Sequence, residues 1–176
     1  IATPETAKHR FFVFLDAAIL PDNMLVNIAT DDAFHLGVLS SRLHVLWALA
    51  MGGRLGMGND PRYTKTRCFE TFPFPQTPTP AIVQQIRDKA LELHQYRSDQ
   101  MEQKQWGITK LYNAYFDEPA SQLYQLHKQL DALVLQAYGF SPDDDLLEKL
   151  LALNLELAEK EKNGENVVGP WDPTTP

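Results

Sequence analysis

The sequence predicts an α+β fold that is mainly α: a small antiparallel sheet with a buried helix, followed by a helical C-terminal domain. Three observations predict it. Short apolar runs separated by turn residues fill the first forty positions. RLHVLWALAM, residues 42–51, is apolar on nearly every side. Beyond the proline-bearing stretch FPFPQTPTP, residues 72–80, apolar residues recur at spacings of three and four as far as Lys162.

In chain order, Arg10 to Leu15 reads as a buried strand and Leu25 to Thr30 as a half-buried one, with Pro21-Asp22-Asn23 as turn chemistry between them, so a hairpin is expected. Phe34, Leu36 and Val38 alternate with His35 and Gly37 as a third strand. Ser40-Ser41 offers a cap for the buried helix, and Gly52-Gly53 ends it. A loop with Gly56 and Gly58 follows, then RYTKTR, 62–67, whose threonines and period of two read as a strand. Proline lacks an N–H and restricts its predecessor, so 72–80 is extended. Four helices follow: Pro80 to Met101, Ile108 to Phe116, Pro119 to Tyr138 and Pro142 to Lys162, the last with Ser141-Pro142-Asp143-Asp144 as its capping signature. The expected organisation is 1–75 as a recognition segment, 76–80 as a linker, 81–162 as a helical domain and 163–176 as an irregular tail.

The chain has 176 residues and a net charge of -7. Residues 1–75 are neutral and the helical half carries the deficit. Arg42, Arg54, Arg62, Lys65 and Arg67 face only Asp60 over their stretch, a local basic patch of the sort that contacts phosphate. A globally acidic chain leaves nucleic-acid binding open without favouring it. No apolar run is long enough for a membrane helix, and one cysteine forms no internal disulfide. With no secretory leader visible, a reducing cytoplasm is the expected location, and no membrane partner is expected. The opening at Ile1 suggests a piece of a longer protein.

Asp143-Asp144-Asp145 suits a helix start better than a metal, and the five scattered histidines have no zinc spacing with Cys68. Cys68 reads as a small buried hydrophobe rather than a nucleophile. No catalytic or metal residue is expected. In RYTKTR the alternation puts Tyr63, Lys65 and Arg67 on one face and Arg62, Thr64 and Thr66 on the other. Arginine can read guanine, lysine can neutralise phosphate and tyrosine can stack, so the set suits duplex DNA; a solvated strand face with snorkelling cations is the alternative.

The order LGVLSSRLHVLWALAMGGRL, a glycine-bearing loop, RYTKTRCFETFPFP and a helical tail resembles the C-terminal end of the MmeI-like type IIL restriction-modification enzymes and related class I adenine-specific DNA methyltransferases. The most specific marks are Leu39-Ser40-Ser41 with His44 and Trp47, Arg62-Tyr63 with Thr64 and Thr66, and Phe72-Pro73-Phe74-Pro75; the resemblance spans roughly Arg10 to Leu157. It implies the end of a target recognition domain plus a helical domain, with double-stranded DNA and the remainder of the parent methyltransferase as partners. Arg54, Arg62, Tyr63, Lys65 and Arg67 are the expected DNA-binding residues. The sequence has no Asn-Pro-Pro-Tyr motif and no glycine-rich cofactor loop, so the resemblance places S-adenosylmethionine in a methyltransferase domain outside this chain and implies that the chain alone is non-catalytic. A structural or protein-interaction module docking on another subunit is the competing expectation.

Overall fold

The computed structural model describes residues 1–55 and 60–169. Gly56 and Gly58 of the expected loop, and the tail beyond residue 169, lie outside the described residues. Within these bounds the fold is α+β and mainly α, and one hydrophobic cluster takes buried side chains from both halves, from Ile1 to Leu150.

The sheet is realised as two antiparallel pairs. Strand β1 (Ala2–Pro4) pairs with β2 (Leu25–Asn27), Thr3 opposite Val26. On its other side β1 exchanges both backbone hydrogen bonds with Val13, at 2.8 and 3.0 Å. The expected strand at Arg10 to Leu15 is therefore reduced to this one bridge. Its neighbours Phe11 and Phe12 are both buried, and consecutive inward side chains do not fit a strand with one wet face.

Phe34 to Val38 is not a strand. Asp32 caps helix α1 (Ala33–Ser40) by accepting the Phe34 N–H at 2.8 Å, and Ala33, Leu36, Gly37 and Ser40 are buried at helical spacing. Gly37 lets α1 lie close on α3 (Pro80–Lys104), because a Cβ there would come within 2.6 Å of Ile86 Cγ2. Helix α2 (Arg42–Met51) buries Leu43, His44, Trp47 and Ala48 and leaves Leu49 exposed. Ser41 stands at its N-cap, but its hydroxyl donates backwards to the Val38 carbonyl. The first N–H of α2, that of Arg42, instead donates to Asp131 Oδ1 at 2.7 Å, so the later helix α5 (Gln122–Tyr138) supplies the cap.

Strand β3 (Gly53–Leu55) pairs with β4 (Asp60–Arg62). RYTKTR leaves the sheet after Arg62. Lys65–Phe69 forms a π-helical turn closed by the Glu70 N–H to the Lys65 carbonyl at 2.9 Å, and Cys68 and Phe69 are buried within it. All four residues of Phe72-Pro73-Phe74-Pro75 are buried, and Tyr138 donates from α5 to the Pro73 carbonyl at 2.8 Å. The stretch forms neither helix nor strand, in keeping with its prolines, and is part of the shared core.

The helical half follows its periodicity. Ile82, Ile86, Ala90 and Leu93 line the inner face of α3; α4 (Ile108–Tyr115) buries Leu111 and Tyr112; α5 buries Leu123, Leu126, Leu130 and Val134. Helix α6 (Leu146–Lys162) starts later than the expected Pro142, because Asp145 caps it by accepting the Glu148 N–H at 3.1 Å. Ser141 to Asp144 forms a separate turn, with the Ser141 N–H donating to Asp144 Oδ2 at 2.8 Å. No single described helix is long and apolar enough to cross a membrane.

Candidate nucleic-acid interface

The cationic segment begins on the β3–β4 hairpin. Gly53 lies opposite Arg62 and Arg54 opposite Pro61, so successive pairs put Arg54 and Arg62 on opposite faces. Both are exposed. Arg62 is also committed: its Nε donates to Glu5 Oε1 at 2.6 Å and its Nη2 pairs with the same oxygen. Lys65, Thr66 and Arg67 are exposed on the π-helical turn, and the side chains of Lys65 and Arg67 take no hydrogen bond or ion pair among the described residues.

Tyr63 departs from its expected place. Its ring is buried at 1% exposure, and its hydroxyl lies 2.8 Å from His44 Nε2. It belongs to the anchorage of the hairpin rather than to a contact surface. The cause is a polar cluster under β4. Arg10 places its guanidinium 5.0 Å from the Tyr63 ring centroid, donates to Thr3 Oγ1 at 3.0 Å and to Pro61 O at 3.3 Å, and also reaches Pro4 O. Phe12 meets Tyr63 edge-on at 5.6 Å. The Tyr63 N–H donates to Glu5 O at 2.6 Å, so residues 5–7 run beside β4 and tie it to the β1 layer.

Charge in this cluster is suppressed where it would be costly. Burial first, and then the nearby Arg10 guanidinium, push His44 down to about 3, which keeps the imidazole neutral. Burial raises the Tyr63 phenol well above its usual value. Cys68 rises for the same first reason and stays a thiol, with its sulfur 3.7 Å from the Ala48 carbonyl oxygen. These groups pack beneath the segment and hold it in place.

Gly52 sets the close approach of α2 to the hairpin. A Cβ there would lie 2.5 Å from Ala48 O and 2.6 Å from Arg62 O, both backbone atoms. Below the π-helical turn, Trp47 Nε1 donates to Thr71 Oγ1 at 3.3 Å, Thr71 Oγ1 donates to Arg67 O at 2.6 Å, and Asn154 of α6 donates to Thr71 O at 2.7 Å. The backbone that carries Arg67 is thus fixed from α2 and α6 together. Glu5 and Arg10 are the residues that local sequence reasoning missed, because Arg62 and Pro61, which they hold, lie 57 and 51 positions away.

A profile of the family described as MmeI, target recognition domain, matches residues 3–76. The chain is 30% identical over 164 residues to DNA methyltransferase A of Bacillus subtilis (strain 168), an alignment covering 88% of this chain and 17% of that protein. The structure of the type IIL restriction-modification enzyme MmeI in complex with DNA superposes with a TM-score of 0.74 at 23% identity, over 90% of this chain and 21% of that one, which establishes a shared fold. The chain spans about a fifth of the length of these relatives. Anchored hairpin, π-helical turn and buried Phe-Pro-Phe-Pro stretch all fall within the matched region, and the chain is accordingly similar to an MmeI-like segment, with residues 3–76 matching that family's target recognition domain.

Proposed function

We propose that this chain provides DNA sequence recognition and helical support for a site-specific N6-adenine DNA methyltransferase or restriction-modification protein, with the β3–β4 hairpin and the π-helical turn facing the duplex. The observation that carries the reading is that the target recognition match covers a segment whose exposed cations stand on a rigid root. Lys65 is suited to a phosphate, and Arg67 and Arg54 present planar forks suited to a guanine edge. Arg62, already paired with Glu5, acts mainly by holding the hairpin. With Asp60 and Glu70 exposed nearby, the local net charge is small, so recognition rests on particular contacts more than on bulk attraction.

Methyl transfer belongs to the remainder of the parent protein. The residues here do not fit S-adenosylmethionine: the described strands pair only antiparallel, and none passes through a glycine-rich turn into a helix of the kind that cradles such a ligand. A second role suits the helical half. Leu147, Leu151 and Leu155 stand exposed along one edge of α6, a line suited to docking on other parts of the parent.

The test is binding of parent-protein variants to a panel of single-base site variants at several salt concentrations. Lys65→Ala should weaken binding to all sequences alike and reduce the salt slope by about one unit. Arg67→Ala or Arg54→Ala should cost about 1 to 3 kcal/mol on the cognate site and relax preference at one base pair. Arg62→Ala should lower stability without changing the preferred base. Unchanged affinity, slope and preference in the first three variants would overturn the assignment of this face.

A further inference from the structure

Lys104 ends α3 and Lys110 lies in the first turn of α4, and both are exposed. Their ammonium groups share one indole: Lys104 Nζ stands 5.5 Å from the Trp106 ring centroid and Lys110 Nζ 4.4 Å. Lys104 Nζ is also 5.6 Å from the Tyr115 ring, which stacks on Trp106 at 6.2 Å and 20°. The backbone sets Trp106 in place. Gln105 turns the chain out of α3 at a left-handed φ of 51°, and the Trp106 N–H donates back to the Met101 carbonyl at 3.0 Å.

Two like charges are thus gathered without an acid, in a chain whose 23 Asp and Glu outnumber its 16 Lys and Arg. Neither lysine side chain takes a hydrogen bond or an ion pair among the described residues. The acids of α3 are turned away. At 100° per residue Lys104 lies about 20° from the buried Arg97, whereas Asp99 and Glu102 lie about 200° and 140° round the helix. Asp117 and Glu118, beyond α4, pair with neither lysine. Close like charges repel, and ring attraction holds these two in place while their outward hydrogens stay free for an anion.

The same surface continues towards the β3–β4 hairpin. Lys8 Nζ donates at 3.1 Å to Oδ1 of Asn113, which follows Lys110 by three positions and so shares its side of α4. His9 Nε2 lies 3.0 Å from the same oxygen, and its ring meets Phe116 edge-on at 5.5 Å, which fastens this segment to α4. With Oδ1 so engaged, the Asn113 amide nitrogen keeps its two hydrogens for another acceptor. Thr6, two residues before Lys8, bridges Arg62 of β4, and the Ala7 N–H donates to Pro61 O at 3.4 Å. About 7 Å of extended backbone therefore joins the hairpin to α4. An exposed row of donors suits an anion that repeats along a line, as the phosphates of a nucleic-acid strand do.

We propose that Lys8, Lys104, Lys110 and Asn113 form a second duplex-contacting surface, on the helical half, that grips backbone phosphates and reads no base. The inference rests on the reading that this chain faces a duplex, and it lies almost wholly outside the matched residues 3–76. The test is binding of parent-protein variants to duplexes bearing the cognate site, over a range of salt concentrations. The paired variant Lys104→Ala with Lys110→Ala should reduce the salt slope by about two units. It should also weaken cognate and single-base-substituted duplexes by the same factor and leave the preferred base unchanged. Lys104→Arg with Lys110→Arg keeps both charges and should keep the slope, which a merely structural role for the lysines does not require. Duplexes carrying one neutral methylphosphonate linkage at a time locate the contact: the linkages that weaken the wild type here should have no effect on the paired alanine variant. An unchanged slope in that variant, beside a reduced slope in Lys65→Ala, overturns this surface and leaves the hairpin reading standing. An unchanged slope in both overturns the two together, and an arginine pair that loses as much slope as the alanine pair overturns the phosphate contact.

Discussion

Lowering the pH from 7 to 5 should destabilise this fold through two buried imidazoles. His44 and His127 are both held at about 3 by burial first and then by a nearby arginine, Arg10 and Arg97 respectively. In the unfolded chain each returns to an ordinary value near 6.5. Between about 3 and 6.5 the unfolded state therefore binds more protons than the folded one, so stability falls as pH falls through that window. Each histidine should remove about 2 kcal/mol between pH 7 and pH 5. Asp131 works the other way: burial raises it to about 6, so from 6 down towards 3.8 the folded state holds the extra proton and recovers about 1 kcal/mol. The net loss should be about 3 kcal/mol, a large part of the stability of an ordinary domain. Urea unfolding at the two pH values, followed by tryptophan fluorescence, measures it. In His127→Gln, whose amide oxygen can still accept from Tyr112, the loss should shrink by about 2 kcal/mol. A wild-type loss below about 1 kcal/mol would refute the reasoning, because it would mean that neither imidazole is buried in neutral form.

Three further outcomes follow from the packing. Trp47→Ala removes a ring that is 1% exposed and should cost roughly 3 to 5 kcal/mol in chemical denaturation. Gly52→Ala forces a Cβ to within 2.6 Å of two backbone oxygens, so it should cost about 1 to 3 kcal/mol and lower the melting temperature seen by circular dichroism. Calorimetric titration of the chain with S-adenosylmethionine should give no binding heat, and a micromolar isotherm would show that a cofactor site has been overlooked in this chain.

The helical half was legible in the sequence because its periods are long and its caps are local. Ile82, Ile86 and Leu93 share one face of the 25-residue α3, and no strand can imitate that pattern. Two helix starts moved: α5 from Pro119 to Gln122, where Ser121 took the N-cap position, and α6 from Pro142 to Leu146, where three consecutive aspartates offered competing caps and Asp145 took it. The first half was harder because its elements are three to ten residues long. Phe34, Leu36 and Val38 alternate as a strand would, but eight residues also fit two turns of helix, and the Asp32 cap together with the close packing of Gly37 on Ile86 decides for the helix. Arg97 could be flagged by counting alone, as a cation on an apolar stripe, whereas its unpaired edge is visible only in three dimensions.

The candidate interface shows why such limits are physical. Alternation through RYTKTR assigns faces only if the segment stays a strand, and it does not. Arg10 bonds Pro4 O, Thr3 and Pro61 O while lying over Tyr63, which pins β4 at its end and turns Tyr63 inward to His44. Beyond that point the chain can coil into the π-helical turn, which buries Cys68 and Phe69 and leaves Lys65 and Arg67 outside. Glu5 neutralises Arg62 by the same long-range route. Of the five residues that local chemistry grouped together, Tyr63 is buried against His44 and Arg62 is paired with Glu5, while Arg54, Lys65 and Arg67 are exposed. That division is made by Glu5 and Arg10, more than fifty positions upstream, so no local pattern in the segment itself could contain it.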